Sequence, residues 1–448
     1  MLSGFPNSAK GLAAAVVLLS GAAALASAPA RAADLGGDCC ADLESRVAEL
    51  EATTARKGNR KVSLTISGRV NANILWWSET STGPSAANGP FDQTHDIYFG
   101  NSAVDSRDPN FVLSGAGKIS ADLSAGFTMQ IDEKFGGADT QTTVQGPPAI
   151  SVDTTYLYLR SNTVGELRLG NMASASDDAY YLNFGGGSVG GLSGANHTGS
   201  FLLRDAAGRL TDTSYLSALG EMSDNNEPRL MYVSPTVSGL TFKADIGGED
   251  TAAASLTWIG KFNTIEIEAG AGYQVSQEAD GDCAGKGPQC TQAADTVSLA
   301  NPWTDATHSN LRALGLSGSI WDTASGLYVS GEWSKVYADA TGRNDPTNWF
   351  AQAGWAKNAS GSGQTTLYAS YDRTADKITN GTSAHYWNIG IDQAIDAVSS
   401  NLYLHYQHDS FDTSGVILGA GSTTPTSTGG AIDAQSIDSV TGGMVVHF

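Results

Sequence analysis

The chain has 448 residues, 25 of them Lys or Arg and 46 Asp or Glu, for a formal net charge of −21. A surface of that sign is a poor partner for DNA or RNA, which are polyanions themselves. Fifty-three glycines against 13 prolines suggest many strands with tight turns, and four cysteines are too few for a disulfide scaffold.

In the first segment one charge, Lys10, precedes an apolar core from Leu12 to Leu25, which is followed by small residues with Ala-x-Ala spacing at Ala26/Ala28 and Ala30/Ala32. It reads as a cleaved signal peptide over residues 1–33, with the mature chain starting near Asp34. No later stretch approaches the ~20 consecutive apolar residues of a spanning helix, which leaves a soluble exported protein or a barrel. In residues 34–61 the apolar positions Leu43, Val47 and Leu50 come at intervals of four and three, so Ala41 to Arg56 reads as a short coiled-coil helix followed by a linker. Cys39 and Cys40 are adjacent, and an interchain bond is more natural than a strained bridge between neighbours. A lipid-anchored cysteine is the rival reading, but "LGGDC" has one residue too many for a lipobox.

From Val62 the period changes to two. Val62, Leu64, Ile66, Gly68, Val70, Ala72, Ile74 and Trp76 alternate with Ser63, Thr65, Ser67, Arg69, Asn71 and Asn73, so one face of a long strand is apolar and the other wet. Membrane barrel strands run about 9 to 11 residues, longer than the usual soluble strand. Hairpins follow, with turns expected at Ser124 to Gly126, Asn162 to Gly165, Pro235 to Gly239, near Phe262, at Asp322 to Gly326, Asn358 to Gly363 and Asp396 to Ser400. With the opening strand and a closing strand "SIDSVTGGMVVHF", these hairpins predict 16 strands. Short turns at one rim and long polar connections at the other are the asymmetry of an outer-membrane barrel, which a soluble sandwich does not predict. Trp76, Trp77, Trp321, Trp333, Trp349 and Trp387 lie near predicted strand ends, where such rings are expected at the lipid headgroup level.

"GNRKVSLTISGRVN", "GELRLGNMASASDD", "YVSPTVSGLTF" and a final strand ending in Phe448 resemble the trimeric Gram-negative general porins, in particular the alphaproteobacterial family of the rhizobia. The resemblance spans nearly all of the mature chain. It implies a transmembrane antiparallel 16-stranded β-barrel over residues 62–448 that assembles as a homotrimer in outer-membrane lipid and passes small hydrophilic solutes and ions passively. It also implies a constriction loop, here 171–228, folded into the lumen. The family's carboxy-terminal aromatic strand is read by the barrel-insertion machinery, and Phe448, Val446, Met444, Gly442 and Val440 alternate as that signal asks. Three tethered copies of the 41–56 helix would meet at high effective concentration as a periplasmic coiled coil, bridged through Cys39 or Cys40.

General porins set a basic wall against an acidic constriction loop. Alternation supplies Arg69, Lys118, Lys134, Arg160 and Arg168 as inward-facing bases, and the loop supplies Asp177, Asp178, Asp205, Asp212 and Asp224. The overall acidity suggests a preference for cations. Cys283 and Cys290 close a short loop in "GDCAGKGPQC" and are candidates for a disulfide in an exported protein. No catalysis, cofactor or metal is expected. The G-x-S-x-G and G-x-G-x-x-G matches within Gly185 to Gly190 lack the strand and helix that such motifs require. His405 and His408 fall on opposite faces of a strand, and "EADGDC" lacks a full calcium-loop pattern. Other readings are a substrate-specific channel, which would show an aromatic track beyond Tyr156 and Tyr158, and a non-channel adhesin barrel.

Overall fold

Side chains alternate between the faces of a strand, so a period-two sequence can make a wall that is apolar outside and polar inside. The computed structural model describes residues 62–80, 92–101, 109–134, 149–180, 182–184, 201–205, 207–215, 226–248, 251–276, 311–338, 344–377, 380–412 and 435–448. The signal peptide, the 41–56 helix, all four cysteines, the Gly185–Gly190 motifs and the 278–283 acids lie outside the described residues.

β1 (Ser63–Thr80) pairs with both β2 (His95–Gly100) and β3 (Asn110–Lys118), so these two share one position in the wall. β4 (Leu123–Lys134), β5 (Ala149–Ser161) and β6 (Gly165–Met172) follow, and a small separate hairpin, β7 (Leu202–Arg204) and β8 (Leu210–Ser214), stands outside that sheet. The wall resumes with β9 (Glu227–Val233), β10 (Leu240–Gly247), β11 (Ala252–Phe262), β12 (Ile265–Ser276), β13 (Leu311–Asp322) and β14 (Leu327–Ala338). It ends with β15 (Thr347–Lys357), β16 (Thr365–Ala375), β17 (Ser383–Ile395), β18 (Ser400–Asp412) and β19 (Gln435–His447). Neighbours are antiparallel throughout, β6 pairs β9, and β19 returns to β1 with Arg69 opposite His447 and Thr80 opposite Ser436. The result is a closed 16-strand antiparallel barrel, which leaves no open sheet edge.

The expected hairpins form, but the first turns earlier than expected. β3 ends at Lys118 and β4 begins at Leu123, so Ser124 to Gly126 lie within β4, opposite Arg160, Leu159 and Tyr158. Gly126 is a packing glycine rather than a turn glycine, because a Cβ there would strike the Tyr158 hydroxyl. The turn itself is held by Asp122, whose carboxylate accepts hydrogen bonds from the Ser161 and Thr163 hydroxyls at 2.6 and 3.0 Å. At the other rim β10 and β11 are joined by residues 248–251 alone, shorter than the long connection expected there.

Large apolar side chains are exposed at alternate positions of the outer face, among them Leu157, Leu159, Leu167, Leu169, Ile320, Val329 and Ile389. Such a surface dissolves in hydrocarbon and not in water. Leu157, 64% exposed near the middle of β5, provides a test. Leu157→Arg is expected to cost about 2–4 kcal/mol of barrel stability if it lies near the bilayer midplane, measured by urea titration in vesicles. The inward Thr128→Arg should cost far less, and equal losses would contradict the assignment of the faces.

Tryptophans divide between the faces. Trp76, Trp333, Trp349 and Trp387 are outward by register, as expected. Trp77 and Trp321 instead point inward. Trp77 is fully buried with its ring centroid 4.6 Å from that of Phe201, and Trp321 packs against the Tyr328, Ala356 and Tyr368 cluster. The reason is that the inner wall is not wet everywhere. Phe201, Leu203 and Tyr215, from the connection between β6 and β9, form an apolar cluster with Leu75, Trp77, Tyr98, Phe350, Tyr386, Phe411 and Ile437 of the wall.

Candidate functional site

The connection after β6 lies against the inner wall from its first residues. Ser174 and Ser176 donate to Gln274 of β12 at 3.3 and 2.8 Å, and Asp245 of β10 accepts the Ala175 N–H. Ser255 of β11 donates to the Ala175 carbonyl at 2.5 Å, and Ser317 of β13 donates to the Ala179 carbonyl at 2.5 Å. Farther along, the Phe184 N–H reaches Ser319 at 3.1 Å, while Asn183 bonds both Ser330 of β14 and Gln352 of β15, at 2.7 and 2.8 Å. Small residues make this close approach possible. A Cβ on Gly315 would overlap the buried Tyr180 ring, and one on Gly272 would come within 2.9 Å of Ser176.

A second seat lies on the opposite side, where the β7–β8 hairpin meets β1. Arg204, fully buried, donates to Glu79 of β1 at 2.5 Å, to both Asp92 oxygens at 2.9 and 2.7 Å, and to the carbonyls of Gly208 and Gln93. Gln435 of β19 donates to the Arg204 carbonyl at 2.8 Å, and the Tyr215 hydroxyl donates to Glu79 at 3.3 Å.

Between these seats the inner wall of β5, β6 and β10 carries cations. Arg160 and Arg168 each donate Nε to one oxygen of Glu166, whose side chain is 6% exposed. Each guanidinium lies over a tyrosine ring, Arg160 on Tyr158 at 5.0 Å and Arg168 on Tyr156 at 5.1 Å. Lys243 of β10 lies within electrostatic range of both Arg168 and Asp177. Arg229 is buried between Glu227 and Asp245, at 2.8 Å from each, and bears on the seat of Ala175 rather than on open space.

The sequence matches the family model of the Gram-negative porins over residues 13–414. The chain belongs to the Gram-negative porin family. It is an outer-membrane channel for passive diffusion. Among curated protein sequences none matches it. Solved structures share its fold at low identity. An anion-selective porin from Comamonas acidovorans is 16% identical with a TM-score of 0.50, covering 86% of this chain and 100% of its own. OmpT, an outer membrane protein of Vibrio cholerae in its trimer form, is 12% identical with a TM-score of 0.50, covering 86% and 99%. OprB of Pseudomonas putida is 9% identical with a TM-score of 0.51, covering 91% and 97%.

The porin distributes its expected site residues unevenly. Arg160 and Arg168 meet on Glu166, and Asp177 opens a single 3-10 turn, Asp177–Ala179, beside Lys243. Arg69 is inward on β1, opposite Asn110, and Lys118 is the last residue of β3, beside the short turn at that rim. Asp205 is buried and accepts the Ala207 and Arg209 N–H groups at 2.9 Å and the Arg209 Nε at 2.7 Å, so it organises its own turn. Lys134, Asp178 and Asp212 are placed by their backbone alone, and Asp224, Cys283 and Cys290 lie outside the described residues. Phe448 exchanges backbone hydrogen bonds with Gly68 at 2.9 and 3.1 Å, and its ring stands 5.6 Å from Phe111. His405 is inward and buried, whereas His408 is outward and bonds Asp438 at 2.8 Å, as their spacing predicts. Lys243 and Glu166 escaped the sequence reading, yet the alternation of "LTFKADI" already puts Lys243 on the wet face with Thr241 and Asp245.

Proposed function

We propose that the porin is a homotrimer for small hydrophilic solutes and ions, with the connection between β6 and β9 acting as the constriction loop of each lumen. The observation that carries this reading is the row of hydrogen bonds from Ser174 to Asn183 along the inner faces of β10 to β15. A segment held there narrows the passage and leaves the Arg160, Arg168 and Lys243 wall facing the remaining opening. Asp177 opposes that wall from the loop, so a transverse field acts on any solute that passes and penalises apolar ones. The trimeric form of the Vibrio cholerae relative is in keeping with three such barrels side by side.

Single-channel recording of the purified protein in a planar lipid bilayer tests the reading. Current steps are expected in threes, one per barrel. Isolated steps of a single size would unseat the trimer, and silence would favour an adhesin barrel.

A further inference from the structure

The chain as a whole is strongly acidic, but a passing ion senses the charges nearest its path. One row of paired inward positions runs Lys118, Ser124, Arg160, Glu166, Val233, Lys243 and Ser255 across β3 to β11, so three of its four charged residues are cationic. Arg168 stands one inward position farther along β6.

The two arginines form more than a patch. Glu166 takes Nε from both, which leaves the Nη groups of each guanidinium without a hydrogen-bond partner among the described residues. Glu166 is 6% exposed at the wall, whereas Arg160 is 53% and Arg168 24% exposed, so the carboxylate sits behind and the guanidinium groups stand in front. The Tyr158 and Tyr156 rings support them, which limits the side-chain freedom lost when a ligand binds. Guanidinium groups held in this way match the two oxygens of a carboxylate or phosphate, and a point charge such as Lys243 adds attraction without directional demand.

We propose that Arg160 and Arg168, aligned by Glu166 and backed by Tyr158 and Tyr156, form with Lys243 an anion-binding station on the channel wall, which makes the porin favour small carboxylate- or phosphate-bearing solutes. The proposal rests on the channel reading and reverses the cation preference that net charge suggests. Glu166 is a positioning residue in this scheme, because it orients the arginines without facing the solute.

Reversal potentials in a potassium chloride gradient, and block of the open channel by inorganic phosphate, test it. The unsubstituted porin is expected to show the anion-selective sign and to be blocked by phosphate. The double variant Arg160→Gln/Arg168→Gln should shift the reversal potential toward the cation sign and lose phosphate block while still conducting. Glu166→Gln separates charge from alignment, since it should raise the preference for chloride and weaken phosphate block. An open channel with the cation-selective sign, or a double variant with unchanged reversal potential and block, overturns the proposal and leaves the channel reading standing. Stronger phosphate block in Glu166→Gln overturns the aligning role, and a protein that never conducts overturns both readings.

Discussion

Replacing Gly315 with leucine is expected to enlarge the single-channel current of the porin without unfolding the barrel. The Tyr180 ring, fully buried, occupies the place of a side chain at position 315, and neighbouring Ser176 and Ala179 come within 2.9 Å of an added Cβ at Gly272 and Gly270. The ring therefore has no room to slide along the wall and must lift away from it. Forcing a large side chain into a packed site costs about 1–3 kcal/mol, and each neutral hydrogen bond holding the segment contributes about 0.5–1.5 kcal/mol. The two bonds nearest Tyr180, from Ser317 to the Ala179 carbonyl and from the Leu182 N–H to Ser317, are thus within reach of that strain. Those at Ala175 and Asn183 hold the ends, so displacement is local. Gly331→Leu on the outer face of β14 is the control, since the nearest atom to an added Cβ there is a carbonyl at 3.6 Å and the surroundings suit an apolar side chain. Adding Tyr180→Ala to Gly315→Leu should remove most of the steric conflict and return the segment toward its seat, a coupling that independent sites would not show. Equal currents from Gly315→Leu and the unsubstituted porin would mean that this segment does not bound the open path.

Much of the barrel is legible in the sequence because strand alternation is local and repeated. Each hairpin carries its own turn residues, and the closing strand announces itself by its aromatic end. Misreadings occur where one residue type serves two ends. Gly126 looks like a turn glycine, but it makes room for Tyr158 across two strands, a requirement set by a neighbour 32 positions away. Trp77 looks like a headgroup-level ring, but the run Ile74, Leu75, Trp76, Trp77 has no alternation at all. Loss of period within a barrel strand is the signal that both faces are covered, here by lipid and by Phe201 and its neighbours.

The candidate site shows the same division. Arg160 and Arg168 follow from alternation between exposed leucines, and Lys243 could have been found in the same way. Asp205 follows a different rule. In "DAAGR" it precedes a turn glycine, and an aspartate in that position commonly bonds the backbone ahead of it, as it does here. Its role as a channel acid is therefore less natural than that of Asp177. The pairing of Arg204 with Glu79 and Asp92 was not legible, because these residues are more than 100 positions apart and no local pattern links them.

That pairing carries the second large effect. Arg204→Ala is expected to make the β7–β8 hairpin open from the wall more often while the barrel persists. Its guanidinium forms ion pairs with both Glu79 and Asp92, whose side chains are 0% and 2% exposed, so truncation takes this cation away from two buried carboxylates. Breaking a buried pair in this way costs about 3–5 kcal/mol. Burial of Phe201, Leu203 and Tyr215 opposes release, at about 1.5–3 kcal/mol for each large apolar side chain. Water must reach the carboxylates for the cost to be relieved, and lifting the hairpin admits it. The balance therefore shifts toward opening rather than completing it. Hydrogen exchange over 201–215 should accelerate on the order of a hundredfold to a few thousandfold, with the amides of β4 unchanged. The triple variant Arg204→Met/Glu79→Gln/Asp92→Asn removes all three charges together and should keep the hairpin closer to its protected state. Unchanged exchange in Arg204→Ala, or equal acceleration in the triple variant, would show that apolar packing alone seats the hairpin.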